Sequence, residues 1–572
     1  MSGMARWTRV GNLWAVAAPF VCREALREFP GMRWDQSVRG WTCSSDLVDP
    51  VTQMLVSGGV DVAFPPLIPP PTEDLPCSSG LHLRAYQTSA VAFIRRVAAG
   101  GGALLALPMG AGKSLCAIRV AEERGGPTLI ICPGMVKGVW AGVRGELRKW
   151  HPSADVRICS TRTVDPGVLF GLGRNSFVVA NFEILDDHKT GRLLPNGKPE
   201  RASSPWVDAL GRVPFTTVIV DEAHAIKNRG GARTSAIKTL SAKIGHGKHL
   251  RIAQTGTPIW NRPADIWSLL DWIHPGGRWG SFWSFARRFA DAGNHTGYGW
   301  EAKGVTNAEE LAHRLQWVMF RRSKSEILDW LPPKTRQVVV VSAEASAGRI
   351  ASVESEMASG GKVPRSELLA AIHREGGTKA QSVVGLIAGC SERVVAFTSL
   401  RDTADGLGKA LRKSGVKAWV IHGEHPQSVR DAAIEEFSLV RTPAALVATY
   451  GVAGVGIDLS CASVAVMVDL DYVPSAMLQA EDRLHRPGQQ SAVTVYYVCV
   501  GDSVDEDVAR MVVEKLDQMT AVLGGDSESD GLRAAVANVV GQDDDGQRLI
   551  DLMLQRLSER ASGGWVRQES LL

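Results

Sequence analysis

Two stretches of the chain share one hydrophobic pattern. Short, wholly apolar runs alternate with longer segments in which apolar residues recur at helical spacing. Over residues 81–276 the runs are Ala103–Leu107, Thr128–Cys132, Phe177–Ala180 and Val218–Val220. Over residues 379–520 they are Val394–Phe397, Ala418–Ile421, Ala445–Ala448, Val464–Val468 and Val493–Val498. Strands without polar alternation are buried on both faces, and strands alternating with helices imply a parallel sheet covered by helices on each side. The pattern predicts an α/β protein of two tandem lobes.

Outside these blocks the pattern changes. Residues 1–64 are rich in tryptophan (Trp7, Trp14, Trp34, Trp41) and read as a small separate domain, followed by a Pro-rich linker over 65–80. Consecutive prolines favour extended, semi-rigid backbone. Residues 277–378 read as a mostly helical insertion that joins the lobes. The segment 521–572 reads as an acidic tail, with flexible links at Gly524–Asp530 and Gln542–Gly546 and a short amphipathic helix carrying Leu549, Leu552, Met553 and Leu557.

Bulk properties narrow the class. Hydrophobic residues make up 45% and charged residues 22%, values that allow a large core without staples. A net charge of +4 and a pI of about 8.5 are too mild to argue for nucleic acid alone. The nine cysteines, Cys22, Cys43, Cys77, Cys116, Cys132, Cys159, Cys390, Cys461 and Cys499, form no C-x-x-C pair and no zinc spacing, which fits a reducing cytoplasm. The apolar run Leu13–Cys22 contains Pro19 and is too short for a span of ~20 residues, so no membrane association is expected.

The chemistry lies at two strand ends. Pro108-Met109-Gly110-Ala111-Gly112-Lys113-Ser114 follows a predicted strand and opens a helix. Glycines there would let backbone N–H groups cradle phosphates, Lys113 would reach the β- and γ-phosphates of ATP, and Ser114 would ligate Mg²⁺. Leu107 stands where such loops usually carry their first glycine. Asp221-Glu222-Ala223-His224 closes the run Thr217–Val220. Asp221 would hold Mg²⁺ and Glu222 would deprotonate the attacking water.

Taken with further segments, these motifs resemble the superfamily-two helicase-like ATPases of the Swi/Snf type, with a DEAH box. Leu83-Arg84-Ala85-Tyr86-Gln87 resembles the adenine-reading motif, with Arg84 and Gln87 at the nucleotide. Pro133, Trp140, Glu146 and Trp150 match the next motif. Lys227-Asn228 extends the acidic box, and Thr255–Asn261 resembles the coupling motif. Phe320–Lys324 and Leu331–Lys334 resemble the segments that join the lobes. In the second lobe, Phe397–Ser399, His422-Gly423, Gly454–Leu459 and Gln479–Gln489 match in turn. The resemblance spans about residues 81–515 and implies two RecA-like lobes.

It further implies site residues. Gly456, Asp458 and Gln479 would join the ATP site, and Arg483 and Arg486 would act as arginine fingers when the lobes close. Lys137, Asn181, Lys227, Thr255, Ser399 and Thr449 would grip a DNA backbone, a contact without sequence preference. Phe29–Trp41 resembles the HARP-type domain of annealing helicases, although a small sheet with a tryptophan core accounts for it equally.

The resulting expectation is a DNA-stimulated ATPase, with ATP and Mg²⁺ as cofactors, that translocates on duplex or branched DNA and remodels or anneals it. A strand-separating helicase and a motor or scaffold subunit of a larger DNA-processing or defence complex are the alternatives. The chain is expected to be monomeric unless such protein partners exist, and to work in the cytoplasm of a bacterium or a phage-infected cell.

Overall fold

We describe a computed structural model of the chain. It describes residues 5–10, 13–29, 32–43, 48–57, 60, 62–63, 83–98, 101–143, 145–186, 188–193, 199–202, 204–245, 249–275, 279–293, 302, 304–341, 376–440, 443–453, 457–500, 504–525 and 527–537. The linker 65–80, the acidic link Gln542–Gly546, the helix expected around Leu549–Leu557, and Gly456 lie outside them. The chain divides into two compact units, Met1–Arg322 and Ser323–Leu572.

The first unit opens with a five-stranded sheet built from β1 (Ala5–Val10), β2 (Leu13–Ala17), β3 (Arg33–Asp35), β4 (Gly40–Cys43) and β5 (Val62–Ala63), in the order β3-β4-β2-β1-β5. Trp7 and Trp14 fill its core, and the Trp7 indole donates to the Thr52 hydroxyl at 2.9 Å. A buried indole N–H needs such a partner. Trp14 packs edge-on against Trp317, with ring centroids 4.4 Å apart.

The larger sheet of this unit contains β6 (Gly102–Ala106), β7 (Thr128–Cys132), β8 (Asp155–Ile158) and β9 (Ser176–Asn181). After a hairpin of β10 (His188–Leu193) and β11 (Pro199–Ala202) come β12 (Thr217–Val220), β13 (Leu250–Gln254) and β14 (Met319–Arg321). The seven strands are parallel and run in the order β14-β6-β13-β12-β7-β9-β8. The loops that carry chemistry therefore leave one edge side by side. The phosphate-loop candidate follows β6, Thr255 follows β13, Asp221 follows β12, Lys137 follows β7, and Asn181 ends β9.

The second unit holds a six-stranded parallel sheet of β15 (Lys334–Val341), β16 (Arg393–Thr398), β17 (Lys417–Ile421), β18 (Ala444–Thr449), β19 (Val464–Met467) and β20 (Val493–Val500), in the order β15-β20-β19-β16-β18-β17. One face packs beneath Leu459, Met477 and Leu484, the other beneath Val383, Leu407 and Leu411. Two RecA-like α/β lobes are the result.

Two expectations need correction. The segment 277–378 contributes helices, Phe282–Phe289 and Ala308–Leu315, but also an edge strand to each sheet, β14 and β15. Three residues, or a strand that opens Lys-Thr-Arg-Gln, give a weak hydrophobic signal. The acidic run at 527–530 is not a flexible link. It opens the helix Ser527–Ala537, and Glu528 is held in a charge network.

Candidate active site

Between β6 and the helix Lys113–Arg124, Gly110 and Gly112 adopt φ of +76° and +78°, a left-handed conformation that disfavours side chains. A Cβ on Gly112 would also meet the Gln87 amide nitrogen at 2.5 Å. Leu107, where the loop lacks its usual first glycine, has a backbone that asks for none. It is buried, takes no positive φ, and only its carbonyl is used. Lys113 Nζ donates to the carbonyls of Leu107 at 2.9 Å and Pro108 at 3.1 Å, so it lies folded over its own loop. Met109 and Ser114 are half-buried, Ala111 is buried, and Gly110 is exposed.

Gln87 is bound up with the same loop. Its Oε1 accepts from the Arg84 backbone N–H at 2.9 Å, and its Nε2 donates to the Ala111 carbonyl at 3.1 Å. Arg84 thereby starts the helix Ala85–Val97. The neighbouring Tyr86 hydroxyl donates to the same Ala111 carbonyl at 2.9 Å.

Asp221 and Glu222 leave β12 beside β7. The Asp221 backbone N–H donates to the Ile131 carbonyl at 2.8 Å. Its side chain is only 8% exposed. Oδ2 accepts the Trp140 indole N–H at 2.8 Å, and Oδ1 accepts the Glu222 N–H at 3.0 Å. Burial, reinforced by Glu222, pushes the Asp221 carboxyl up to about 6. Glu222 sits at φ +48° and ψ +51°, a conformation costly for any non-glycine residue. Its Oε2 lies 3.3 Å from His224 Nδ1.

The acidic box is joined to the strand beside it. His224 Nδ1 lies 3.4 Å from the Thr255 hydroxyl, and its ring stacks on Trp260 with centroids 4.1 Å apart. Lys227 Nζ sits 4.6 Å from the centre of the same Trp260 ring. Thr255 is wholly buried, and its hydroxyl donates to the Thr257 carbonyl at 3.2 Å. Its side chain thereby ties the loop after β13 to the acidic box. Lys137 begins the helix Lys137–Ala141 and donates to the Cys159 carbonyl at 3.4 Å. Asn181 is nearly buried and donates to Glu183 at 2.6 Å.

In the second lobe Ser399 follows β16 and Thr449 ends β18, at neighbouring strand ends. The Ser399 N–H donates to Asp469 at 3.3 Å. Gln479 and Arg483 lie on the helix Pro474–Leu484, and both are buried, Arg483 to 1% exposure. Arg486 is a quarter exposed, donates to the Ile457 carbonyl at 3.2 Å, and faces Asp458 at 3.8 Å. Of the two arginines, Arg486 is the more accessible.

The helix that carries Arg483 is held by a charge network that sequence reasoning missed. Glu481 is fully buried. It receives Arg336 through two bonds of 2.8 and 2.6 Å, Lys334 at 2.7 Å and the Tyr497 hydroxyl at 2.6 Å. Glu528 binds both cations from the other side. Burial raises the Glu481 carboxyl, but Lys334 and Arg336 outweigh it and hold it far below the usual range. Lys324 fixes the same helix by bonding Asp482 and the His485 carbonyl. No local signal marks these partners, because they come from four distant segments.

The coupling role of Trp260 and the indole bond to Asp221 were also missed, although Trp140 and Trp260 both stand in quoted motifs.

The chain matches an SNF2-related domain over residues 86–354 and a helicase conserved C-terminal domain over residues 378–488. It is similar to the SWI/SNF-related matrix-associated actin-dependent regulator of chromatin subfamily A-like protein 1 of Xenopus tropicalis, 29% identical over 451 residues that cover 76% of this chain and 44% of that protein. The Caenorhabditis elegans homolog of that protein is 28% identical over 531 residues, 87% of this chain and 72% of the relative. The Mus musculus DNA annealing helicase and endonuclease ZRANB3 is 27% identical over 481 residues, 79% of this chain and 42% of the relative. The chain thus spans less than half the length of the frog and mouse proteins. Two matched domains in succession, over lobes whose strand ends carry the phosphate loop and the acidic box, show that the chain belongs to the SNF2-related, helicase-like ATPases of superfamily two.

Proposed function

We propose that the chain is a DNA-stimulated ATPase that translocates on duplex or branched DNA and remodels or anneals it. The observation that carries this reading is the row of strand ends in the first lobe. The phosphate-loop candidate after β6 and the acidic box after β12 lie at the carboxyl ends of the same parallel sheet as the candidate backbone contacts after β7 and β9. The names of the frog and mouse relatives support a remodelling or annealing role.

The residues act as follows. Lys113 exchanges its loop carbonyls for the β- and γ-phosphates of ATP, held by the N–H groups of the Gly110–Ser114 loop. Glu222, fixed in a left-handed turn at the end of β12, takes the proton of the attacking water. Arg483 and Arg486 act as arginine fingers toward charge that builds on the γ-phosphoryl oxygens, and Gln479, Asp458 and Gly456 act with them.

Asp221 and Ser114 fit Mg²⁺. The Asp221 carboxyl is buried and raised, a state that an added cation relieves. Among the described residues no three His, Cys, Asp or Glu side chains gather to cage a metal, which suits an ion that keeps waters and phosphate oxygens as ligands. When bound, Mg²⁺ supplies charge neutralisation of the phosphates.

Lys137, Asn181, Lys227, Thr255, Ser399 and Thr449 contact the DNA backbone. The N-terminal sheet adds a HARP-like accessory platform, on which Trp34 is 55% exposed beside exposed Arg33 and Arg39. The same reading places the protein in a cytoplasm, and free thiols at the described cysteines support it.

The test is ATP turnover of the purified chain with single-stranded, duplex and forked DNA and with RNA at fixed salt, beside an annealing and an unwinding assay. Stimulation by duplex or forked DNA together with annealing is expected. Equal turnover with and without nucleic acid would exclude the reading, and net strand separation would replace it with the unwinding alternative.

A further inference from the structure

Asp221 is gripped in two independent ways, and both grips come from the β7 side. Its backbone N–H is bonded to the Ile131 carbonyl, on β7 itself. Its carboxylate Oδ2 is bonded to the Trp140 indole, which belongs to the segment that follows β7. The backbone bond fixes where the residue starts, and the indole bond fixes which way the carboxylate turns. An indole has one donor, and Trp140 gives its donor to this oxygen while its ring is wholly buried.

Lys137, a proposed contact to the DNA backbone, lies three residues before Trp140 on the same short helix, Lys137–Ala141. Residues three apart share one helix face. The segment is also seated against the end of β9. Cys132 is in register with Asn181, and a Cβ on Gly134 would meet the Glu183 carboxylate at 3.2 Å. Load applied at Lys137 or Asn181 has little slack to be lost in.

We propose that Trp140 is the positioning residue through which the backbone-gripping segment after β7 acts on Asp221. A phosphate drawn to Lys137 shifts the helix, the rigid indole follows, and the carboxylate turns with it. The box is thereby coupled on its β7 side, apart from the His224–Thr255 contact on its β13 side. Other buried indoles of this unit give their N–H to neutral oxygens, Trp7 to the Thr52 hydroxyl and Trp206 to the Thr161 carbonyl, whereas Trp140 gives its own to the carboxylate proposed to hold Mg²⁺. The inference rests on the reading of the chain as a DNA-stimulated ATPase.

The experiment compares the wild-type chain with Trp140→Phe and with a chain carrying benzothienylalanine at position 140, which keeps the bicyclic shape and lacks the N–H. Turnover at saturating ATP is measured with and without saturating duplex DNA, and DNA affinity is measured by fluorescence anisotropy. DNA affinity should be unchanged. The ratio of stimulated to basal turnover should fall by about tenfold or more in both variants, the scale of a lost bond to a charged group. A packing role alone would lower both rates together and leave the ratio intact. A stimulated wild type whose ratio survives in the shape-matched variant overturns the inference and leaves the functional reading standing. A wild type indifferent to DNA removes the functional reading itself, and the inference with it.

Discussion

Asp221 and Glu481 are both buried carboxylates beside the proposed chemistry, yet their surroundings are opposite. Asp221 in the first lobe has an indole and a backbone N–H for partners, and burial lifts its carboxyl to about 6. Glu481 in the second lobe has Lys334, Arg336 and Tyr497, and the two cations depress its carboxyl despite burial. The difference separates two uses of charge. A carboxylate left short of cations inside a protein is poised to receive one. A carboxylate saturated with them holds helices and strands in register. Backbone strain divides in the same way. Among the described residues every non-glycine residue with positive φ belongs to the first unit, and Glu222 is the one at the acidic box.

The contrast can be broken most severely at the strained base. Glu222→Gln should lower steady-state ATP turnover by ~10²–10⁴ with nucleotide affinity retained, as read by a fluorescent ATP analogue. Next comes the saturated carboxylate. Glu481→Ala leaves Lys334 and Arg336 in a buried space with Glu528 as their one remaining carboxylate, and should cost about 3–5 kcal/mol in urea-induced unfolding of the second lobe. The unsaturated carboxylate should respond with the opposite sign. Asp221→Asn should abolish turnover while raising stability by about 1–3 kcal/mol, because a desolvated charge is removed. A decrease in the urea midpoint would show that Asp221 is structural after all.

The two networks should also oppose each other in pH. Asp221 binds its proton more tightly folded than unfolded, so its contribution falls as pH rises from its ordinary 3.8 to about 6. Glu528, which shares the Glu481 cations, is held at about 2, so its contribution is present above its ordinary 4.5 and lost as pH falls toward 2. Melting temperatures across this range should lose the upper slope in Asp221→Asn and the lower slope in Glu528→Gln. The smallest effect is expected at the loop. Gly112→Ala forces a Cβ into left-handed backbone and against Gln87, and should cost ~1–2 kcal/mol while raising KM for ATP.

Much of this was legible in the chain. The strands carrying the phosphate loop and the acidic box are uniformly apolar and end in Gly110-Ala111-Gly112-Lys113 and Asp221-Glu222. Both sit at carboxyl ends of strands in one parallel sheet, with β13 between them, as the alternation required. Strands with polar interiors escaped notice. β13 lies centrally between β6 and β12 and yet contains Arg251, buried with its guanidinium lowered to about 10 by desolvation. β8 and β15 are edge strands whose exposed positions dilute the pattern.

The sequence by itself determined the chemical inventory and its order. Each motif is a contiguous run, and a loop's backbone conformation depends on its own glycines and the strand before it. Only the tertiary structure decided which groups answer one another. Trp140 reaches Asp221 across 81 residues, and Lys334 reaches Glu481 across 147. Pairings of that range are set by strand order and by the desolvation each charge meets when the lobe closes around it. For that reason two carboxylates that look alike in the sequence became a poised ligand in one lobe and a structural tie in the other.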